Sequence, residues 1–340
     1  MIIKRIILRL PQSLLVLFGL SLLIFFIARV IPGDPARVAL GPLAPVEQVQ
    51  NLRQKMHLDE PLPVQYWIWL KAVIQGDFGE SLYTRRPVAR DLVQYLPATF
   101  ELIIFSFLIS LIVGQISGVL SGYMKNSWFD NISRFVSYIG VATPVFVVAI
   151  IALFVFCYLT RLFPFGGRLG ITTELPPQIT GFLILDSLIA RQFATAFEAL
   201  KYIFLPAASL ALAHIAQESR ITRASIIENL QEDYIFAHTV YGIPTSVVLF
   251  KYLLKPSLIP TVTVMGLDFA VLTCTAFLVE VVFMWPGFSR YGVNAMLNKD
   301  LNAIVAVVLV IGATFAVVNF IVDIVVSFLD PRIRIGSRGG

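Results

Sequence analysis

Residues 228–260, ENLQEDYIFAHTVYGIPTSVVLFKYLLKPSLIP, form a sizeable polar island between two long apolar runs in the second half of the chain. Glu232 and Asp233 favour the first turn of a helix, because the helix dipole is positive there. Gly242 stands where such a helix would end. The stretch therefore predicts a short helix, a break and a second helix. Its function is open at this point: it is either a handle for a soluble partner or a solvated connection between two spans.

The composition of the whole chain predicts a membrane protein. Of its 340 residues, 57% are hydrophobic and 14% are charged, and the mean hydropathy is +0.82. Soluble globular proteins carry about 25% charged residues. The net charge of +5 fits basic loops against anionic lipid head groups and calls for no nucleic acid. The expected class is an all-α polytopic membrane protein.

The apolar runs predict six transmembrane helices with both termini in the cytoplasm. Residues 1–31 form an N-terminal basic segment and a first span, which is too long for the apolar part of a signal peptide. Residues 32–96 form a large extracytoplasmic loop with an interfacial helix at 64–74, and residues 97–340 form a five-helix core with a polar loop at 228–257. The predicted spans are about 10–31, 97–123, 135–159, 202–221, 258–283 and 301–329.

Two features inside the predicted spans concern helix packing. Gly114, Gly118 and Gly122 are four residues apart, a spacing that removes side chains from one helix face and permits close approach of another helix. The alternative is that these glycines fall at this spacing by chance. Pro144 lies in the middle of the third span and predicts a kink, because proline removes a backbone hydrogen bond.

Ionisable residues in membrane helices face a bundle interior or water more often than lipid. The candidates for a translocation pathway are His214, Glu218, Asp268 and Glu280. Because His214 and Glu218 are four residues apart, the spacing allows them to pair on one helix face. Arg223 is expected to extend to the cytoplasmic surface. The competing interpretation is that these acids and the histidine cap helices or hydrogen-bond between them.

The sequence gives no sign of an enzyme or of a bound metal. Cys157 and Cys274 lie inside apolar runs, and the three histidines are far apart, so neither a disulfide framework nor a metal-ligand spacing is present. No GxxxxGK[ST] or GxGxxG motif occurs. If transport is driven by ATP, another polypeptide must hydrolyse it.

Short motifs along the chain resemble those of the permease subunits of bacterial ATP-driven (ABC) importers of the dipeptide/oligopeptide type. The matching pieces are IPGDP at 31–35, GDFGES at 76–81, RPV at 86–88, LPATFEL at 96–102, TPVF at 143–146, RITR at 220–223, EDYI at 232–235 with Gly242, residues 280–287, and DPRIR at 330–334. Each piece is weak alone, whereas their order and intervals together are strong.

This resemblance implies a multi-pass protein of the bacterial cytoplasmic (inner) membrane. It assigns the short helix of the polar island as a coupling helix, which docks on the ATPase subunit. The implied coupling residues are Glu232, Asp233, Tyr234, Ala237 and Gly242. The implied partners are a second, related permease subunit, two ATPase subunits and an extracytoplasmic solute-binding protein. ATP and magnesium are then held by the ATPases, and this chain holds no cofactor.

Two alternatives remain open from the sequence. A proton-coupled secondary transporter would use His214, Asp268, Glu280 and Asp323 as a relay, although six spans without an evident inverted repeat argue against a complete carrier. The same importer could also carry a nickel chelate, glutathione, haem or an antimicrobial peptide instead of di- or oligopeptides.

Overall fold

The structure of the chain, a computed structural model, describes residues 2–30, 35–41, 43–55 and 57–329. Within these ranges the regular elements are helical, and Glu80 and Pro87 form an isolated antiparallel bridge. The helices are α1 (Ile2–Val30), α2 (Pro35–Leu40), α3 (Val46–Lys55), α4 (Leu62–Ile74), α5 (Val88–Tyr123), α6 (Trp128–Ala142), α7 (Val145–Ala152), α8 (Leu183–Ile189), α9 (Phe193–Leu230), α10 (Asp233–Val240), α11 (Thr245–Val247), α12 (Leu254–Val282), α13 (Phe288–Leu297) and α14 (Leu301–Leu329). The all-α class is confirmed.

Five helices among the described residues are long and apolar enough to cross a membrane, and a sixth results if the bent pair α6–α7 is one span. The five are Pro11–Arg29, Val88–Tyr123, Phe193–Leu230, Thr245–Val282 and Leu301–Val322. The polytopic class is thereby confirmed. Residues 31–34 of the IPGDP motif and the DPRIR motif at 330–334 lie outside the described residues.

One compact unit comprises residues 3–99 and 286–317. In it the tyrosine of α4, Tyr66, bonds the Ser21 hydroxyl at 2.8 Å and packs edge-on against Phe25 of α1, with ring centroids 5.3 Å apart. The helix predicted at 64–74 is α4, and its aromatic side chains attach it to α1; its position at the membrane interface stays a prediction.

The segment predicted as a loop up to residue 96 already contains the start of α5. This helix begins at Val88, directly after Pro87, and its first-turn acid Asp91 is fully buried. Asp91 accepts a hydrogen bond from the Thr84 hydroxyl and pairs with Arg86 at 2.6 Å. The predicted boundary at 97 is wrong because it followed the rise in hydropathy, whereas a proline and a buried ion pair fix the start of the helix.

The second unit comprises residues 100–285 and, within the described part of the chain, 318–329. Between α6 and α7 the chain bends by 110° at Thr143 and Pro144. Thr143 has an extended backbone (φ −92°, ψ 124°), as expected for a residue before proline, so the helix is interrupted rather than merely kinked. After α7 a π-helical segment, Leu153–Leu159, completes this pair.

Helices α9 and α12 are both longer than the spans predicted for them. The 38-residue α9 covers Phe193–Leu230, whereas 202–221 was predicted. The second segment of the polar island is not a separate helix: α11 passes through a π-helical segment, Val248–Leu253, directly into α12. The polar residues at the two ends of these helices lowered the local hydropathy and concealed their continuation.

Candidate functional site

Helix α10 is held in place by one buried side chain. Ile235 packs in a cluster of buried aliphatic residues with Ile226 of α9 and with Val248 and Leu253, which lie between α11 and α12. Each fully buried aliphatic side chain contributes about 1.5–3 kcal/mol through the hydrophobic effect. The short helix therefore has a fixed position on the end of α9.

Gly242 ends α10 in a Schellman motif. Its φ of +70° lies in the left-handed region, which glycine adopts at little cost. The amide of Ile243 donates to the carbonyl of His238 at 3.1 Å, and Ile243 packs against the Ile235 cluster. The short helix, the glycine stop and the break at 241–244 thus follow the sequence prediction.

The outer face of α10 is apolar and open. Phe236, Val240 and Tyr241 expose 72%, 67% and 84% of their surface, and positions 236 and 240 are one helical turn apart. Contiguous exposed apolar side chains rimmed by polar residues mark interaction sites. Sequence reasoning singled out other residues of α10 and missed this face, although the four-residue spacing was readable.

The predicted coupling residues have different surroundings. Glu232 and Asp233 are exposed at the N-terminal end of α10, Ala237 is half-buried, and Gly242 is exposed. The Tyr234 hydroxyl donates to the side-chain carbonyl of Asn229 at 3.2 Å. The neighbouring His238 ring lies 4.0 Å, centroid to centroid, from the ring of Tyr252.

The predicted glycine face of α5 packs directly against α9. A Cβ added at Gly114 would lie 3.0 Å from the Cβ of Glu218, one at Gly118 would lie 2.6 Å from the Cβ of Thr222, and one at Gly122 would lie 2.7 Å from the Cβ of Ile226. The contacts advance by four residues on both helices, so the two helices run parallel in a fixed register. These distances are too short for any residue but glycine without movement of the helices.

The predicted pairing of His214 with Glu218 is wrong. The imidazole Nδ1 of His214 lies 3.5 Å from a carboxylate oxygen of Asp268 on α12, and Gln217 donates to the same oxygen at 3.3 Å. Glu218 instead accepts from the Ser110 hydroxyl of α5 at 3.2 Å. Although His214 and Glu218 share one helix, they turn towards different neighbouring helices.

A second group of polar side chains links α5, α9 and α12. The Thr222 hydroxyl donates to the side-chain carbonyl of Gln115 at 3.0 Å and lies 2.8 Å from the hydroxyl of Thr261. Glu280, the last pathway candidate, is fully buried two residues before the end of α12, where its backbone carbonyl accepts from the Trp285 amide at 2.9 Å. The structure thus places Glu280 apart from the His214–Asp268 pair.

Arg223 does not extend to the surface as predicted. Its guanidinium donates two hydrogen bonds to the fully buried carboxylate of Asp130, from Nε at 2.6 Å and from Nη2 at 2.8 Å. A bidentate arginine–carboxylate pair is a strong and oriented contact. Asp130 was missed because its partner is 93 residues away in the sequence; the signal was an acid in the first turn of a helix after Ser127, a good N-cap residue.

The described part of the chain contains no group of three or more histidine, cysteine or acidic side chains arranged to hold a metal ion. What the geometry provides is a helix bundle in tight contact, a buried polar layer and an anchored short helix with an open apolar face.

Comparison with known proteins identifies the family. Residues 114–335 match the family described as binding-protein-dependent transport system inner membrane component, and residues 2–103 match the N-terminal family of the same membrane components. The chain belongs to this family. It is therefore a multi-pass permease of the inner membrane, and permeases of this kind work with an ATPase and an extracytoplasmic binding protein.

Relatives match the chain over almost its whole length. The dipeptide transport system permease protein DppB of Alkalihalophilus pseudofirmus is 36% identical over 97% of this chain and 98% of its own length. The probable D,D-dipeptide transport system permease protein DdpB of Escherichia coli K12 is 36% identical over 96% of this chain and 95% of its own. The glutathione transport system permease protein GsiC of the same strain is 31% identical, with 98% of both chains covered.

Proposed function

We propose that this permease imports dipeptides or short oligopeptides, and that it forms the translocation pathway together with a second, related permease subunit. The observation that carries the proposal is the 36% identity, over nearly the full length of both chains, to a permease named for dipeptide transport. The two ATPase subunits supply the ATP hydrolysis, so this chain needs no nucleotide site. The proton-coupled carrier weighed from the sequence receives no support from this comparison.

In this proposal α10 is the coupling helix, and its apolar face enters a groove on one ATPase subunit. The support is physical: Phe236, Val240 and Tyr241 are exposed on a helix whose opposite side is anchored by Ile235. Aromatic side chains that fill a partner's pocket contribute 2 kcal/mol or more each, which corresponds to about 30-fold in affinity. The acidic start of α10 is available for basic residues on the rim of the groove.

Uptake of a labelled dipeptide into vesicles tests the proposed cargo. The vesicles contain this chain with its second permease, the ATPases and the binding protein. We expect accumulation that requires ATP and fails without the ATPases. Accumulation driven by a proton gradient alone would contradict the proposal. If the binding protein stimulates ATP hydrolysis but only glutathione enters, the cargo assignment is wrong and the importer assignment stands.

The docking face is tested with Tyr241→Ala. We expect the affinity for the ATPases to fall about 30-fold, the effect of losing one interface anchor. Phe193→Ala is the matched control, because this aromatic side chain is likewise largely exposed, at 66% against 84% for Tyr241, but it lies at the opposite end of α9. Equal affinities of the two variants would contradict the assignment of α10.

A further inference from the structure

The carboxylate of Asp130 joins three helices at one point. It accepts hydrogen bonds from the Ser121 hydroxyl near the end of α5 at 2.6 Å, from the Asn126 amide in the following turn at 2.9 Å, and from two nitrogens of Arg223 on α9 at 2.6 and 2.8 Å. An ionised carboxylate has about four acceptor positions, so its capacity is filled. The start of α6 is thus fixed to the ends of α5 and α9.

The same end of α9 carries α10. Ile226, less than one helical turn beyond Arg223, packs against Ile235 of α10, and it also meets the glycine face of α5 at Gly122. Side chains in such a cluster are close-packed and transmit displacement rather than absorb it. The end of α9 is therefore a common support for α10 and for the start of α6.

The far end of α6 also packs against α9, where a Cβ added at Gly140 would lie 3.0 Å from the Cβ of Ala216. There the helix stops at Ala142, Thr143 leaves the helical conformation, and α7 starts at an angle of 110°. A non-helical residue between two rigid helices is where a change in backbone angles is absorbed at low cost. Helix α6 thus lies against α9 from its start to Gly140, and the pivot follows its end.

We propose that the Asp130–Arg223 pair makes α6 move together with α9 and α10, so that displacement of α10 by the ATPases turns α6 about Thr143–Pro144. The inference rests on the proposed coupling role of α10. Both side chains act as positioning residues. The bidentate contact fixes the relative orientation of α6 and α9, which a lysine at position 223 would not do, because its ammonium is a single point charge. A buried ion pair contributes little net stability to a fold. What the Asp130–Arg223 pair contributes is a fixed orientation of α6 relative to α9.

The test measures dipeptide uptake per ATP hydrolysed by the complete transporter in vesicles. Arg223→Lys keeps the charge and removes the bidentate contact. The double variant Asp130→Asn with Arg223→Gln removes both charges of the buried pair. It leaves Arg134, whose Nε lies 3.7 Å from Asp130, but this side chain is 40% exposed, so the double variant is expected to fold if the single variant does not. For either one we expect an uptake-to-hydrolysis ratio at least tenfold lower, with the ATPases still bound and still stimulated by the binding protein. Arg220→Lys, an exposed arginine of the same helix, is the control and leaves the ratio unchanged.

A ratio that stays at the wild-type value in both variants, whether uptake and hydrolysis fall together or neither falls, overturns the inference.

A second measurement does not depend on the cargo. Spin labels at Val136 of α6 and Phe154 beyond α7, in a chain with Cys157 and Cys274 replaced by alanine, report the angle at the pivot. We expect ATP trapped with vanadate to change this distance in the otherwise unmodified chain and not in the Arg223→Lys variant. If the distance between the two labels does not change in the chain with Arg223 intact, the inference is also overturned. If only the cargo assignment is wrong, dipeptide uptake is altered but the change in this distance remains.

Discussion

Replacing Gly118 with alanine adds a methyl group where α5 and α9 already touch. The new Cβ would lie 2.6 Å from the Cβ of Thr222 and 2.8 Å from the backbone carbonyl oxygen of Ser219. Non-bonded carbon atoms pack at about 3.5–4.0 Å, so the helices must separate locally by about 1 Å. Neither neighbour can rotate away, because one is a backbone atom and the other is attached directly to the backbone.

The net effect is the difference between two opposing terms. Overpacking of a close-packed interior destabilises by about 1–3 kcal/mol. Alanine in place of glycine in a helix returns up to about 1 kcal/mol. The difference is about 0–2 kcal/mol. Because neither neighbour can rotate away, we expect Gly118→Ala to lie in the upper half of this range, about 1–2 kcal/mol, and the separation to weaken the hydrogen bonds of Thr222, which joins α5 and α12.

The apparent thermal unfolding midpoint of the purified protein in detergent, recorded at one scan rate, measures this effect. Gly19→Ala is the matched control, because Gly19 also lies within a helix but has no atom within 4 Å of its added Cβ. We expect Gly118→Ala to melt a few degrees below the wild type and Gly19→Ala to melt at or slightly above it. If both variants melt alike, the close approach of α5 and α9 is wrong.

Three further substitutions test other parts of the chain. Gly242→Val forces a β-branched residue to a φ of +70°, a strain of about 1–3 kcal/mol, and we expect this variant to hydrolyse ATP without proportionate uptake. The control is Gly242→Asn, which tolerates this conformation and is expected to stay coupled. A valine variant that stays coupled contradicts the assignment of α10 as the coupling helix. Glu101→Gln removes the carboxylate that pairs with Arg168. Because a buried charge left without its partner costs about 3–5 kcal/mol, we expect a lower yield of folded protein in detergent. An unchanged yield would refute this prediction. For Asp186, burial acts to raise the pKa, but hydrogen bonds from the Thr180 hydroxyl and from backbone amides hold it below its ordinary value. The stability that the ionised Asp186 carboxylate contributes is therefore present above about pH 4, the pKa of an unfolded aspartate, and is lost as the pH falls through the lower pKa of the folded state. The unfolding midpoints of the wild type and of Asp186→Asn should therefore converge in acid. A difference between the two midpoints that stays constant with pH would disprove this.

The parts of the fold that sequence predicted well are those set by local signals. The last span was predicted at 301–329, and α14 is Leu301–Leu329. The run is predominantly apolar, and it starts beside Asp300, which caps it by accepting the Ala303 amide at 3.2 Å. The end of α10 was predicted from a single glycine, since few other residues adopt a positive φ there. Local rules were sufficient in both places.

Helix length beyond the membrane was not predictable from hydropathy. Helix α5 extends nine residues before Pro97 because Asp91 is buried and paired with Arg86, and the hydropathy of that stretch gives no indication of it. In the same way α9 continues past Arg220 to Leu230. Charged residues in a membrane protein lower the local hydropathy and so predict a loop. They are nevertheless compatible with a helix wherever a partner side chain pairs with them or water solvates them.

The paired side chains that tie the second unit together were missed for a different reason. Asp130 and Arg223 are 93 residues apart, and Glu101 and Arg168 are 67 residues apart. With one sequence, no periodicity connects an acid to a base over such a distance. The buried ends of helices had to be known before the pairing could be inferred, as the wrong expectation for Arg223 illustrates.

The contacts along α9 have a mechanical consequence. This helix is in register with α5 at Glu218, Thr222 and Ile226, and the last of these also supports α10. A force on α10 is therefore received by a block in which α5 and α9 resist sliding, since a shift of less than one helical turn would drive these side chains of α9 against the larger residues between the glycines of α5. Movement must then occur where packing permits a change in backbone angles, and Thr143, held between two helices at 110°, is such a place. On this argument the glycine face makes the block rigid, the Asp130–Arg223 pair extends it to α6, and the proline allows the block to turn as one piece.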